Sequence, residues 1–518
     1  MELSANDPND YRRKIKTRKE LQEILGQRPR NQSVIMCHGT FDLVHPGHVR
    51  HLMFAKTKAD ILIASVTGDV HIDKANYRPF VPEQLRAMNL AALEVVDYVI
   101  TDTEATPIEN LKFLQPDFFA KGYEYFDGGI DPRTSEEISV LKSYGGEMVF
   151  TPGDVIFSSS AFINQAPPNI ATDKLAVLTE SEGIMFDELR NVFDSFSDIR
   201  VHVIGDTIVD SHIYCATIGS GTSKTPTVTV RHERQVDFVG GAAVVARHLR
   251  RTGAQVKFTT VLGNDPLNEL VLKELEADGI TCAPSIDSSR PTTQKNVFIA
   301  DDYRLLKMDK VDNSPISERI LEQLKKSIST TECDIVVFSD FRHGIFSGNT
   351  IPQLIDAMPP NVLKVADSQV ASRWGNILDF KGFDLITPNE REARFSLADQ
   401  DSGIRPLSLE LYKRAECKTL ILKLGARGIL TYRAPNPEVG SFFSVDSFAK
   451  NITDAVGAGD ALLAYATLSL YATKSPVIAS ILGSMAAAVA CEQEGNVPIS
   501  TERVAEMLNT AEKQANYV

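Results

Sequence analysis

The chain has 518 residues, 43% hydrophobic and 24% charged, with a formal net charge of −14 at pH 7. That length exceeds one ordinary core and implies two or three domains. The acidic balance argues against broad nucleic-acid binding, which needs a basic face. Six scattered cysteines with no C-x-x-C pair read as reduced thiols of a cytoplasmic enzyme. The polar N-terminal stretch lacks an apolar signal core.

Residues 1–30 form a charged lead-in. The apolar run Ser33–Cys37 predicts a buried parallel strand that ends at a glycine-bearing turn. A helix is expected over Val49–Lys58, a strand over Asp60–Val66, a helix over Pro82–Leu93 and a strand over Asp97–Thr101. Two further strands are expected over Asp117–Lys121 and Glu147–Phe150. This alternation predicts a doubly wound α/β domain over 31–165. Residues 166–197 read as an ordered linker, opened by the breaker Ala166-Pro-Pro-Asn and carrying a helix over Ser181–Phe196.

A second α/β domain is expected over 198–518. Its strands are predicted over Ile199–Ile204, Val256–Val261, Cys333–Phe338, Val362–Ala366, Phe383–Ile386 and Thr419–Lys423. Thr225–Val236 and Gln294–Asp309 break the rhythm. Their alternating pattern predicts solvent-facing strands of a small β-lid. Val477–Cys491 is strongly apolar, but Ser480, Gly483 and Ser484 interrupt it, so a buried helix is expected and no membrane span. There is no internal repeat.

Two motifs carry chemistry. In the first, the strand ending at Cys37 runs into His38-Gly-Thr-Phe-Asp-Leu-Val-His45-Pro-Gly-His48. Ligands of open parallel sheets bind at the carboxyl ends of the strands, and a helix N-terminus attracts phosphate. His45 and His48 are three apart and can face one phosphate. Nucleotidyl transfer requires that charge building up on the α-phosphate and on departing pyrophosphate be neutralised, which two imidazoles and helix N–H groups do. In the second motif, Asp454-Ala-Val-Gly457-Ala458-Gly459-Asp460, a glycine turn opens a helix. Its N–H groups can converge on one anion, with Asp460 following as a general base.

Residues 31–163 resemble the H-x-G-H nucleotidyltransferase superfamily, through Gly39-Thr-Phe-Asp42, Arg78-Pro-Phe, Glu83-Gln-Leu-Arg86, Ala91–Asp97, Lys121-Gly-Tyr and Phe157-Ser-Ser-Ser160. The resemblance implies that His45 and His48 stabilise the transition state and that Lys56 contacts phosphates. It implies nucleotide and phosphate contacts from Gly39, Thr40, Phe41, Arg86, Lys121 and Gly122, a triphosphate site at Ser158, Ser159 and Ser160, and a substrate contact from Asp42. Heptose-type adenylyltransferases of this superfamily carry N-G-C-F-D where this chain has His38-Gly-Thr-Phe-Asp42, which is closer to the cytidylyltransferase form. The rest of the domain leans the other way, so both ATP and CTP stay open as nucleotidyl donors.

Residues 199–512 resemble the ribokinase-like sugar kinases. The matching segments are Gly205-Asp206…Asp210, Val239-Gly-Gly-Ala-Ala243, Thr387-Pro-Asn389-Glu390-Arg-Glu392, Lys423-Leu-Gly425-Ala-Arg-Gly428 and Asp454–Asp460. Ile204–Asp210, Thr225-Pro-Thr-Val and Arg304–Asp309 narrow the likeness to the kinase half of bifunctional heptose-phosphate enzymes. The resemblance implies sugar contacts from Asp206, Asp210, Gly240 and Gly241. Asn389 and Glu392 would organise Mg²⁺ and phosphate through water, and Lys423, Gly425 and Gly428 would lie along ATP. Gly457, Ala458 and Gly459 would hold the transferred phosphate, with Asp460 as base. Arg304, or Lys307 beside it, and Arg342 would meet a phosphate already on the substrate.

Together the motifs imply a bifunctional enzyme that phosphorylates a sugar phosphate and attaches a nucleotide, with an ADP-heptose-type product or, alternatively, a CDP-linked one. The familiar heptose enzyme has its kinase first; here the transferase leads. The family likeness further implies a homodimer through the lid.

Overall fold

The computed structural model describes residues 10–72, 79–122, 132–151, 171–218, 228–301, 303–369, 377–434, 440–449, 452–493 and 495–515. A short helix α1 (Arg18–Leu25) precedes the first sheet and is closed by a reciprocal cap, with Thr17 and Glu20 each bonding the other's backbone N–H. Then follow β1 (Val34–Gly39), α2 (Pro46–Lys56), β2 (Ile61–Thr67), α3 (Glu83–Ala91), β3 (Tyr98–Asp102), α4 (Ile108–Leu114), β4 (Phe118–Gly122), α5 (Pro132–Ser143) and β5 (Glu147–Thr151). The strands form one parallel sheet in the order β3-β2-β1-β4-β5. All five strands expected from apolar runs are present. Because β1 lies between β2 and β4, the winding direction reverses there, and a crevice opens at the carboxyl ends of β1 and β4.

The expected Ser181–Phe196 helix is a correction. Helix α6 (Ala171–Glu182) stops at Gly183, which adopts φ +66°, and α7 (Phe186–Asn191) restarts beyond it. Leu175, Leu189, Val192 and Phe196 from this stretch are buried in the core of the second sheet.

That second sheet has nine strands: β6 (Arg200–Gly205), β9 (Gln255–Gly263), β10 (Thr281–Asp287), β13 (Ile335–Asp340), β14 (Leu363–Ser368), β15 (Leu385–Ile386), β16 (Thr419–Lys423), β17 (Ile429–Tyr432) and β18 (Phe442–Val445), in the order β10-β9-β6-β13-β14-β15-β16-β17-β18. Pairing is parallel up to β16 and antiparallel beyond it. Helices α8 (Ala242–Arg251), α14 (Ala458–Thr473) and α15 (Pro476–Cys491) cover one face. Helices α10 (Glu318–Thr330), α11 (Thr350–Asp356), α12 (Glu390–Leu397) and α13 (Ile404–Ala415) cover the other, while α9 (Pro266–Ala277) and α16 (Thr501–Ala515) complete the chain order. The α14–α15 approach is close because Gly483 has no Cβ, which would sit 3.1 Å from the Leu462 carbonyl. Helix α15 is the buried apolar helix expected at Val477–Cys491, and no helix among the described residues is long and apolar enough to cross a membrane.

A separate four-stranded sheet, ordered β12-β11-β7-β8, forms the lid: β7 (Thr207–Thr217), β8 (Val230–Gly241), β11 (Gln294–Ala300) and β12 (Tyr303–Lys310). The strand expected over Thr225–Val236 is shifted: β8 begins at Val230 and continues to Gly241. Its antiparallel partner β7 carries Ile208-Val-Asp210, which pairs with Gly240-Val-Phe238.

Candidate active sites

At the N-terminal site, His45 caps α2, and its Nδ1 accepts the Gly47 N–H at 3.1 Å. His48 donates from Nδ1 to the Leu43 carbonyl at 3.1 Å. His45 thus keeps Nδ1 free of a proton, whereas His48 carries one on Nδ1. They stack with centroids 3.9 Å apart and planes at 24°, and Phe41 packs edge-on to His48 at 5.1 Å. Stacking is possible because residue 47 is glycine: a Cβ there would fall 2.9 Å from the His45 ring. Burial lowers the His45 pKa, which favours the neutral imidazole. Both rings sit at the carboxyl end of β1, as the motif requires.

Other expected contacts are differently employed. Lys56 is a correction. It lies at the last position of α2, about 15 Å along the helix from its first turn by helical rise. There its ammonium pairs with Asp97 at 2.5 Å, at the amino-terminal ends of β2 and β3 and away from the histidines. Arg86 is a second correction. Its side chain is fully buried, and it donates to the carbonyls of Val81, Thr40 and Thr67 and to Asp69. It ties the loops after β1 and β2 together. Asp42 is a third: it is 1% exposed, and its two oxygens accept the N–H groups of Phe80 and Val81 at 2.9 and 2.7 Å.

Lys121 and Gly122 end β4 in the crevice, with Lys121 held by Glu137 at 2.5 Å and Thr134 at 2.9 Å. Gly39, Thr40 and Phe41 form the turn leaving β1, where Phe41 takes φ +48°. Ser158, Ser159 and Ser160, with Arg78, lie outside the described residues. The structure also singles out His38, which sequence reasoning passed over. Its Nδ1 lies 3.0 Å from the Ser65 hydroxyl, its Nε2 3.2 Å from that of Thr67, and Asp102 is 3.8 Å away. Burial pulls its pKa down to about 3, so it is neutral. Its place on the final turn of an apolar strand was the available signal.

At the C-terminal site, Gly457 (φ +79°), Ala458 and Gly459 start α14, and a Cβ on Gly457 would strike the Asn496 side chain at 2.5 Å. Lys423, from the end of β16, reaches this turn: its ammonium would be 3.4 Å from a Cβ on Gly459. Lys423 pairs with Asp367 at 2.8 Å, and Asp367 also accepts the Thr387 hydroxyl at 2.8 Å. Asp460 completes the cluster. Burial, then Asp367 and Glu392, raise its pKa to about 7 against the opposing pull of Lys423. A carboxylate poised near neutrality is what a general base requires. Burial works against the Lys423 charge, yet Asp367, Glu392 and Asp460 hold its pKa above the ordinary value. Asp367 was missed from sequence, although it lies at the carboxyl end of an apolar strand, Leu363–Ser368.

Gly425 (φ +62°) and Gly428 (φ +85°) shape the β16–β17 turn; a Cβ on Gly428 would meet the Val445 carbonyl at 2.1 Å. Asn389 and Glu392 cap α12 reciprocally, each accepting the other's backbone N–H, at 2.9 and 2.7 Å. Among the described residues no three His, Cys, Asp or Glu side chains are grouped to hold a metal ion. This donor set fits contact with a cation through water and does not fit a protein cage.

In the region expected to face the sugar, the Asp210 carboxylate rests on Gly240, where a Cβ would lie 2.4 Å from its Oδ2. Gly241, at φ +67°, leads into α8 under the Asp206 carbonyl. Asp206 is a correction: it is buried, and it accepts the Phe341 and His343 N–H groups, so it fastens the loop after β13. Arg342 is another. At φ +65° its guanidinium turns back onto Asp340 at 3.0 Å, with Ser368 bonding the same carboxylate. Arg304 is exposed at the far end of β12, in register with Ile299. The lid cations whose charge acts on Asp210 are Lys295, directly in register with it on β11, and Lys307.

Residues 198–502 match the pfkB family carbohydrate kinase pattern, well over half of the chain. The chain belongs to the pfkB family of carbohydrate kinases. Residues 36–163 match the cytidylyltransferase-like pattern, so this pfkB member carries a nucleotidyltransferase-type domain ahead of its kinase domain. The chain is similar to the bifunctional protein HldE of Bradyrhizobium sp. (strain ORS 278), at 27% identity over 329 residues, 61% of this chain and 64% of that protein. A shorter match, 37% identical over 150 residues, links 28% of the chain to 30% of the bifunctional protein HldE of Syntrophotalea carbinolica. The matches thus span a little under two thirds of the first of these relatives and about a third of the second. In fold the chain resembles the tetrameric inhibited form of phosphofructokinase-2 from Escherichia coli, with a TM-score of 0.50 at 19% identity, covering 61% of this chain and 99% of that one. Relative to HldE proteins, the pfkB member has its two domains in reversed order.

Proposed function

We propose that this chain is a bifunctional transferase that makes a nucleotide-activated sugar of the ADP-heptose type. The observation that carries the reading is the pairing of the Asp460–Lys423–Asp367 cluster at a glycine-opened helix with the stacked His45–His48 pair on a separate sheet. In the kinase domain, Asp460 accepts the proton of the anomeric hydroxyl of heptose 7-phosphate as that oxygen attacks the γ-phosphorus of ATP and ADP departs. Lys423 and the N–H groups of Gly457–Gly459 receive the developing charge. Asn389 and Glu392 would hold Mg²⁺ through water, and the ion would neutralise phosphate charge. In the N-terminal domain, a sugar 1-phosphate oxygen attacks the α-phosphorus of the nucleotide and pyrophosphate leaves. His45 and His48 take up the charge, with Lys121 and Gly122 in the same crevice. Reactions of this type run in the cytoplasm on small molecules.

The full chain is expected to form ADP from heptose 7-phosphate and ATP, and to release pyrophosphate when heptose 1-phosphate is supplied with ATP. Pyrophosphate release with CTP alone would replace this reading by a CDP-linked product. That second reading is favoured by Thr40 in the β1 turn, and ribitol and glycerol phosphates are its natural test substrates.

The outer lid strands support a homodimer. Tyr303, Leu306 and Met308, which share one face of the edge strand β12 by register, are 71%, 58% and 49% exposed, apolar surface of the kind that associating surfaces bury. Sedimentation equilibrium is expected to give a dimer that Leu306→Asp with Met308→Asp converts to monomer; a monomeric wild type would sink the assignment.

A further inference from the structure

The loop that follows β2 in the N-terminal domain is held from the kinase domain. Asp69, two residues past the strand, is gripped on three sides. Its N–H donates to Glu83 at 2.6 Å, its carboxylate accepts from Arg86 at 2.5 Å, and its carbonyl accepts from the guanidinium of Arg405 on α13. Arg405 is set for this contact by its own surroundings. Its guanidinium lies 5.0 Å from the centre of the Phe442 ring, which stacks on Tyr432, and the Tyr432 hydroxyl donates to the Arg405 carbonyl at 3.4 Å.

The other described flank of the loop is held the same way. Lys174 of α6, paired with Asp446 at 2.9 Å, places its ammonium 4.2 Å from the centre of the Phe80 ring. Phe80 and Val81 in turn fasten the Asp42 carboxylate. Through Arg86 the Asp69 unit connects to the Thr40 carbonyl, in the turn that leads to His45. The catalytic histidines therefore stand on a loop system whose anchors include two cations from outside the nucleotidyltransferase sheet.

We infer that Arg405 is a positioning residue for nucleotidyl transfer: it holds the Asp69 loop, and through Arg86 the β1 turn, in the geometry that the His45–His48 pair needs. The kinase domain is then a structural part of the nucleotidyltransferase. This rests on the reading of the N-terminal site given above. Arg405 contacts Asp69, Phe442 and Tyr432, none of which belongs to the Asp460 cluster or the glycine turn, so phosphoryl transfer is expected to proceed without it. A hydrogen bond from a charged donor, buried on one side, is the kind whose loss costs about tenfold or more.

The test uses the full chain, with Arg405→Met, which keeps bulk against Phe442, and Arg405→Lys, which keeps the charge. Both steps are assayed: ADP formation from heptose 7-phosphate and ATP, and pyrophosphate release from heptose 1-phosphate with ATP and with CTP. Arg405→Met is expected to lower the kcat of pyrophosphate release about tenfold, leave ADP formation at the wild-type rate, and speed amide exchange at Asp69–Ile72. Arg405→Lys is expected to recover part of the loss. Wild-type pyrophosphate release by Arg405→Met would overturn the inference, and so would an equal fall in both activities, which signals a general loss of structure. A wild-type chain releasing no pyrophosphate from either nucleotide would instead overturn the reading of the N-terminal site itself.

Discussion

Asp460→Asn is expected to lower the rate of phosphoryl transfer by about 10²- to 10⁴-fold, the range associated with loss of a general base, while pyrophosphate release continues at the wild-type rate. The amide keeps the shape of the side chain but cannot accept the hydroxyl proton. The pH dependence sharpens the test. With its pKa raised to about 7, Asp460 is largely protonated at pH 6 and largely ionised at pH 8. The ionised form is the working base, so phosphoryl transfer should rise with pH roughly tenfold per unit below this value and level off above it. Asp367 is the leading charge that pushes the pKa up, after burial, so Asp367→Asn should move this limb toward lower pH. Lys423→Met removes a cation that opposes the rise and should move it higher. A flat profile from pH 5.5 to 8.5 in a single-turnover measurement, or an active Asp460→Asn enzyme, would remove Asp460 from this role.

His48→Ala is expected to lower nucleotidyl transfer by about 10²- to 10³-fold, the cost of removing one preorganised donor at a developing anion, with ADP formation unchanged. His48 is the more exacting of the pair. Its Nδ1–H is committed to the Leu43 carbonyl and its ring supports His45 at 3.9 Å, so alanine removes one imidazole and the seat of the other. Pyrophosphate release measured on the same preparation as ADP formation separates a site effect from unfolding. Retention of wild-type pyrophosphate release by His48→Ala would show that the stacked pair is not the catalytic centre.

Much of the architecture was legible because apolar runs bounded by turns specify buried strands almost directly. Val34–Cys37, Leu62–Ala64, Ile335–Phe338 and Leu420–Leu422 are continuous apolar stretches, and each lies in a buried strand of a parallel sheet. The glycine turns were legible for a related reason: at Gly457 and Gly428 the backbone takes positive φ beside an atom that a Cβ would strike. What failed did so for identifiable reasons. Lys56 carries the right charge next to the right motif, but an eleven-residue helix carries it to the opposite end of the sheet. Strand β7 escaped notice because its segment reads as a motif, and only pairing with β8 and β11 makes it the centre of the lid.

The division follows from the range of the forces involved. The buried apolar strands and the glycine turns depend on neighbours within a few residues, and the sequence by itself determined most of them, along with the two chemical motifs and their family likeness. Where a long charged side chain spends its charge depends on partners remote in sequence. Arg86 on four loop acceptors, Asp42 on Phe80 and Val81, Arg342 on Asp340, Lys423 on Asp367 and Arg405 on Asp69 are all such cases. A buried charge must find a partner, and which one it finds is settled by how the sheets and loops pack, so those assignments belonged to the tertiary structure alone.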